Sequence, residues 1–400
     1  MMNETNKQPI SVDCILVCLY FTALPLTVVT TPWGSLLKLI SIPIAVILGA
    51  RLLLGRCHFT LNYIHFTYTV YILYTVALLL MYRNESSVTI TKDMALGLLM
   101  LIMISVRIYN EREREWMETA WIIVGVVCVI AALTSTESLS KTESRAVIRI
   151  FGFEEDQNHF CAYFIMAMLV SIKRILQRRK FYPLYILLII LSFYSIFKTG
   201  SRGGLIGVLA GIFVYILLGM KNIKSRIAIT IVGVLVGVAV ITVVFPNLPE
   251  DVRERYSVES VMESGGTGRF EIWGYLLNYT ARSSGRMIHG SGVFSSNEIL
   301  SKAGFLNGVA HNAYIQVLSD EGIIGLFLFL TVIAACLIRT VGRQTLYVCA
   351  FISLLAFSMS LTFYVFKPYL NIMMMCAMTF EKDLPENVLR TTQRGDQNNV

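Results

Sequence analysis

Runs of about 15–21 apolar residues recur along the whole chain, separated by short polar breaks. A run of that length crosses the hydrocarbon of a bilayer as a helix, because only there is every backbone N–H and C=O satisfied from within one segment. Twelve segments fit, at about 11–30, 35–54, 62–82, 94–108, 117–133, 159–173, 181–197, 203–219, 227–245, 322–338, 345–362 and 367–380. The fold class that follows is an all-α polytopic membrane protein with about 12 transmembrane helices. Charged residues make up 15% of the chain, against roughly 25% in soluble domains, which argues against a soluble enzyme. The first run is followed by many others and has no small-residue cleavage site, so it reads as a membrane helix and not as a secretory leader. All eight cysteines but Cys57 lie in apolar runs and no CxxC occurs, so neither a disulfide framework nor a zinc site is expected.

The net charge of +8 is spread over short loops and serves as a topology signal, not a nucleic-acid footprint. The densest basic loop, "KRILQRRK" (173–180), is placed in the cytoplasm. Alternation then puts 110–116, 220–226, 338–344 and both termini inside. It puts 82–93, 134–158, 198–204 and 246–321 outside. Most connections are about 4–12 residues long, whereas the one between spans nine and ten has about 76, a length that usually signals function or disorder. The expected organisation is spans one to nine over 1–245, an extracytoplasmic loop carrying the catalytic motifs over 246–321, spans ten to twelve over 322–380, and a cytoplasmic tail over 381–400. Within the loop, "RFEIWGYLLNY" (269–279) has a helical pattern with Phe270, Trp273 and Leu277 on one face. Ser295-x-x-Glu298 reads as a capping box. A partly helical cap lying on the membrane is expected.

No carboxylate falls in the middle of a span, which counts against an ion-coupled transporter. Polar residues gather instead on the outer face. "KTGSRGG" (198–204) sets Arg202 at the outer end of span eight, beside Ser201. "GGTGRFEIW" sets Arg269 at a glycine-rich turn opening a helix, where free N–H groups and the helix dipole favour an anion. His289 sits in another glycine turn, and His311–Asn312 opens the helix before span ten, with Gln316 and Glu321 further along it. Outside the cell a transferase needs a donor already activated, and a lipid-linked diphosphate is a good leaving group that needs charge stabilisation. The planar fork of arginine suits this, and histidine is poised near neutral pH to act as base on a sugar hydroxyl. No Asp-x-Asp occurs on the outer face, so a metal-free mechanism is expected, with no cofactor. Each residue also has a plainer reading: Arg202 as a snorkelling interfacial arginine, Arg269 as a solvated loop charge, His289 and His311 as turn or helix-terminal residues. Trp273 reads as a packing or interfacial anchor. The case rests on Arg202, Arg269 and His311 sharing one face with one long loop.

At these residues the sequence resembles the O-antigen ligase and polymerase family of bacterial membrane glycosyltransferases. The resemblance is carried by "SRGGLIGVLAG" (201–211), "GRFEIW" (268–273), "GSGVFS" (290–295) and "HNAYIQVLSDEGIIGLF" (311–327). "EEDQNHFCAYF" (154–164) is similar to the family's acidic-Pro-Asn segment, with Gln157 where proline is usual. The resemblance implies a bacterial cytoplasmic-membrane enzyme with its large loop outside between helices nine and ten. It implies an undecaprenyl-diphosphate-linked oligosaccharide as donor, and metal-free transfer that inverts the anomeric centre. Arg202 and Arg269 would hold the diphosphate, with His311 the catalytic base. Ser201, Asn312, Gln316, His289 and Glu321 are supporting candidates. The acceptor would be a glycan or lipid-linked sugar. Membrane lipids and, for a polymerase, a chain-length regulator are further partner candidates, and no nucleic acid is expected. Repeat-unit polymerisation is favoured over ligation to a lipid A core; a lipid or glycan transporter without catalysis and a structural assembly protein stand as more distant alternatives.

Overall fold

The computed structural model describes residues 9–57, 59–135, 147–219, 222–239, 242, 246, 250, 253, 268–305, 308–362 and 367–384. Helices form where the sequence runs apolar: α1 (Val12–Thr22), α2 (Leu36–Leu53), α3 (Tyr63–Met81), α4 (Glu85–Ser105), α5 (Glu111–Thr134), α6 (Gln157–Phe160), α7 (Tyr163–Leu176), α8 (Tyr182–Lys198), α9 (Arg202–Gly219) and α10 (Ile223–Ala239). Three short helices follow, α11 (Arg269–Ala281), α12 (Ser284–His289) and α13 (Ser296–Lys302), and then α14 (Ala313–Thr340), α15 (Thr345–Ser358) and α16 (Lys367–Ala377). Among the described residues, seven segments are long and apolar enough to cross a membrane: α2 to α5, the α6–α7 stretch, α9 and α14. α1, α8 and α15 are apolar but shorter. α1 stops at Thr22, short of the 30 expected, and the chain passes into a 3-10 turn at Leu24–Thr27. Pro25 in that turn has no N–H with which to continue the α-helix.

The core is one continuous set of buried side chains shared by the long helices. α9 packs along α15, α5 along α7, and α14 along α3. The α9–α15 contact is close because Gly207 and Gly211 leave no side chain between the backbones. A methyl group at Gly207 would run into the Phe357 ring, and Ser353 Oγ donates to the Gly207 carbonyl at 2.6 Å.

The helix ends sort into two sets. At one end lie the basic segments. Lys173 Nζ donates to both Glu118 oxygens at 2.7 and 2.8 Å, Arg174 donates to Thr119 Oγ1 at 2.6 Å, and Arg179 pairs with Glu115. The first described residues join them, with Ser11 N donating to Glu113 Oε1 at 2.9 Å. So do the last, since Gln344 Nε2 donates to Asp383 Oδ2 at 2.7 Å. At the opposite end the turn at 82–84 meets the cap formed by α11, α12, α13 and the first half of α14. Ser87 Oγ donates to the Val293 carbonyl at 2.8 Å. The cap has its own small core of Ile272, Leu276, Leu300 and Ala310.

Three local expectations change. α4 begins at Glu85 and not near 94, because Asn84 caps it through Ser87 N at 2.7 Å and its polar first turns face partners. Asp93 thereby sits inside the helix and pairs with Lys38 at 2.6 Å. In α11 the buried stripe is Ile272, Leu276 and Thr280, while Phe270 and Leu277 are exposed. Ser295-x-x-Glu298 forms no capping box: Ser295 Oγ donates to Asp320 Oδ1 at 3.3 Å, and Glu298 pairs with Lys302 at 2.6 Å. The role falls to Asp320 on α14, whose Oδ1 takes the Ser296 N–H at 2.7 Å. The first part of the long loop, 254–267, the middle of the 134–158 connection and the tail beyond 384 lie outside the described residues.

α14 bends at Gly322, whose φ of 70° and ψ of −169° are non-helical. A side chain there would strike the Ile288 carbonyl and the Gly290 N–H. One at Gly290, itself at φ 76°, would strike the Asp320 carbonyl. The cap and α14 therefore meet backbone to backbone, which only glycine permits.

Candidate functional site

The three residues singled out from the sequence all stand at helix starts. Arg202 is the first residue of α9, Arg269 the first of α11, and His311 immediately precedes Asn312, the N-cap of α14. Helix N-termini present unpaired N–H groups and a positive dipole end, the setting for an anionic ligand. Two sets of contacts bring the three together. Gly203, next to Arg202, lies against Ser360, where a methyl group would collide with the hydroxyl, and Asn312 Nδ2 donates to the carbonyl of the adjoining Met359 at 3.2 Å. α11 is tied to the same place by Trp273, whose indole N–H donates to the Ala310 carbonyl at 2.7 Å. Trp273 is one turn from Arg269, and Ala310 is the residue before His311.

His311 has φ of 50°, the left-handed region that side chains seldom adopt. Such strain persists only where the surroundings hold it. Here the holding is visible on both sides. Asn312 Oδ1 accepts from Tyr314 N and Ile315 N at 3.0 and 3.1 Å. Gln316 Oε1 accepts from Ala310 N at 2.9 Å and from Thr362 Oγ1 at 3.3 Å. Gln316 Nε2 donates to Ser296 Oγ and, at 2.6 Å, to Asp320 Oδ2. Asn312 and Gln316 thus each turn an amide oxygen to the backbone beside His311. Asp320 completes the network and was not singled out from the sequence. Its only sequence signal is its place one turn after Gln316.

The other supporting residues divide. Ser201 Oγ caps α9, accepting from Gly204 N at 3.0 Å. His289 closes α12 just before Gly290 and is partly exposed. Glu321 is fully buried and turned away from the cap helices towards α3. Tyr71 OH donates to its Oε1 at 3.2 Å, and Tyr74 OH donates to its carbonyl at 2.8 Å. Gly325, one turn on, leaves room for that carboxylate.

The 154–164 segment borders the start of α9: a methyl group at Gly204 would meet the Cys161 side chain. Asp156 caps α6 by accepting from Asn158 N and His159 N at 2.8 and 2.9 Å. Gln157 is then the first helical residue, a position that proline also fits, so the departure from the usual proline is conformationally compatible. Glu155 lies in a short hairpin (Ile148–Ile150 with Phe153–Glu155) and is buried. Burial pushes its carboxyl up to about 7, opposed by hydrogen bonds from Asp156 N at 3.1 Å and Tyr163 OH at 3.3 Å. The folded state therefore holds this proton more tightly than the unfolded chain. Its stabilising contribution is complete below the usual carboxylate value near 4.5 and is lost as pH rises through about 7. Thermal unfolding in detergent should show a loss on the order of 2–3 kcal/mol between those limits that disappears in Glu155→Gln. The same slope in the variant would assign the effect to another group.

Residues 187–330, from within α8 to within α14, match the O-antigen ligase family model. That segment belongs to the O-antigen ligase family. The matched span contains Arg202, Arg269 and His311, the whole described cap and the Gly322 bend. With the apolar helices, the match supports a multi-pass membrane protein in which residues 187–330 are similar to O-antigen ligases. A search of curated proteins finds no match to this chain.

Proposed function

We propose that this chain transfers an undecaprenyl-diphosphate-linked glycan to an acceptor sugar hydroxyl on the outer side of the cytoplasmic membrane, most simply as repeat-unit polymerisation of a surface polysaccharide. The observation that carries the reading is the meeting of three helix N-termini bearing Arg202, Arg269 and His311. In this reaction His311 takes the proton of the acceptor hydroxyl while its oxygen attacks the anomeric carbon. The bond from that carbon to the diphosphate oxygen breaks, and its electron pair leaves on the diphosphate. Attack from the face opposite the leaving group inverts the anomeric centre. Arg202 and Arg269, with the N–H groups at their helix starts, bind the diphosphate and stabilise the charge it gains. The diphosphate lies at headgroup depth, and the site is built where apolar helices end in a polar cap. The clustering of the basic loops at the opposite end supports a cytoplasmic placement of that end.

The purified chain, reconstituted with lipid-linked repeat units, should give longer lipid-linked glycans and release undecaprenyl diphosphate. Transfer only when lipid A core is supplied would make it a ligase. Unchanged repeat units under both conditions would remove glycosyl transfer and leave the transporter reading.

A further inference from the structure

We infer that the chain holds the accepting glycan in a groove beside the candidate site, between the cap and the turn joining α3 to α4; this rests on the glycosyl-transfer reading above. The cavity, about 480 Å³, falls in the range of roughly 300–1,000 Å³ typical of small-ligand pockets. One wall is α11, through Tyr275 and Tyr279, one helical turn apart with rings stacked at 6.3 Å and 20°. The facing wall is the turn, through Arg83 and Asn84. Ser291 contributes a buried hydroxyl with no hydrogen-bond partner among the described residues. The Glu298–Lys302 pair closes one edge.

This mixture selects a class of ligand. An apolar molecule would leave the buried Ser291 hydroxyl without a partner, which is costly once water is displaced. A compact dianion would want several free cations, whereas Lys302 is neutralised by Glu298 and the Arg286 guanidinium lies over the Tyr279 ring at 4.0 Å, which leaves Arg83 among the described lining residues. A glycan meets both halves. Its C–H faces cover the exposed Tyr275 ring, and its hydroxyls both donate to and accept from the serine, amide and guanidinium groups. Arg83 admits neutral or mildly acidic sugars. The position fits as well. Tyr275 is six residues from Arg269 on the same helix, about 9 Å along the axis, so a chain lying in the groove can reach the transfer point.

The test uses the full chain in detergent and, as probe, oligosaccharides cut from the producing cells' own surface polymer, free of lipid and phosphate. Titration calorimetry should give equal binding for the wild type and His311→Ala. Binding should be about ten-fold weaker or worse for Tyr275→Ala/Tyr279→Ala, and retained in the Tyr→Phe pair. Should the alanine pair fail to fold, the exposed Arg83→Ala is expected to weaken binding about three-fold or more. No binding by the wild type, or unchanged binding in a folded groove variant, overturns the inference. In the transfer assay the same variants should raise the acceptor KM while kcat at saturation is kept. A wild type that binds the oligosaccharide without transferring glycan would sink the transferase reading and leave the groove standing. One that transfers without binding it would do the reverse.

Discussion

His311→Ala should lower glycan transfer by about 10²–10⁴-fold with protein level and melting temperature unchanged, the usual contribution of a positioned general base. The ring is partly exposed, and Asn312 and Gln316 hold the surrounding loop. Polymer yield in cells and turnover of purified protein should fall together, and binding of the lipid-linked donor should persist. Polymer of normal length and amount in this variant would remove His311 as the base. A variant that loses activity only because it unfolds would instead show lost donor binding and a lowered melting temperature.

Arg202→Lys should also fail, despite keeping the charge. A guanidinium can grip two phosphate oxygens at once in a fixed plane, and an ammonium is a point charge on a flexible stem. Arg202 starts α9 with Ser201 capping it, and Gly203 is pressed against Ser360, so the helix cannot shift to re-aim a shorter-reaching head group. An expected loss of about 10²-fold or more in kcat/KM, shared by Arg269→Lys, would mark both as diphosphate ligands. Full activity in Arg202→Lys would reduce its role to electrostatics, and a purely structural arginine would show itself in a fall in melting temperature.

The sequence carried the long helices well, because hydropathy over 15–20 residues is a local property. It also carried the placement of Arg202, Arg269 and His311 at helix starts. It failed where a residue's partner comes from elsewhere in the chain. Ser295 and Glu298 have capping-box spacing, but Asp320 arrives from another helix and takes the serine hydroxyl and the Ser296 N–H. α4 looks too polar to begin at Glu85 until the cap supplies an acceptor for Ser87. Phe270 and Leu277 share a face of α11 by periodicity, yet the cap buries Ile272 and Leu276. Asn312 and Gln316 were legible as candidates, while their bracing of the left-handed backbone at His311 depends on Met359 and Thr362, some fifty residues away.

That dependence has a consequence for biogenesis. Residues 359–362 brace both arms of the site: Ser360 against Gly203, Met359 against Asn312, and Thr362 against Gln316. During synthesis the chain emerges N-terminus first, so Arg202, Arg269 and His311 all enter the membrane before the segment that fixes their arrangement. A ribosome-bound intermediate that has made the arginines and the histidine still lacks the α15–α16 junction. Under the proposed function, the candidate site is complete only once the α15–α16 junction has been made, so an intermediate lacking that junction has the arginines and the histidine without their arrangement.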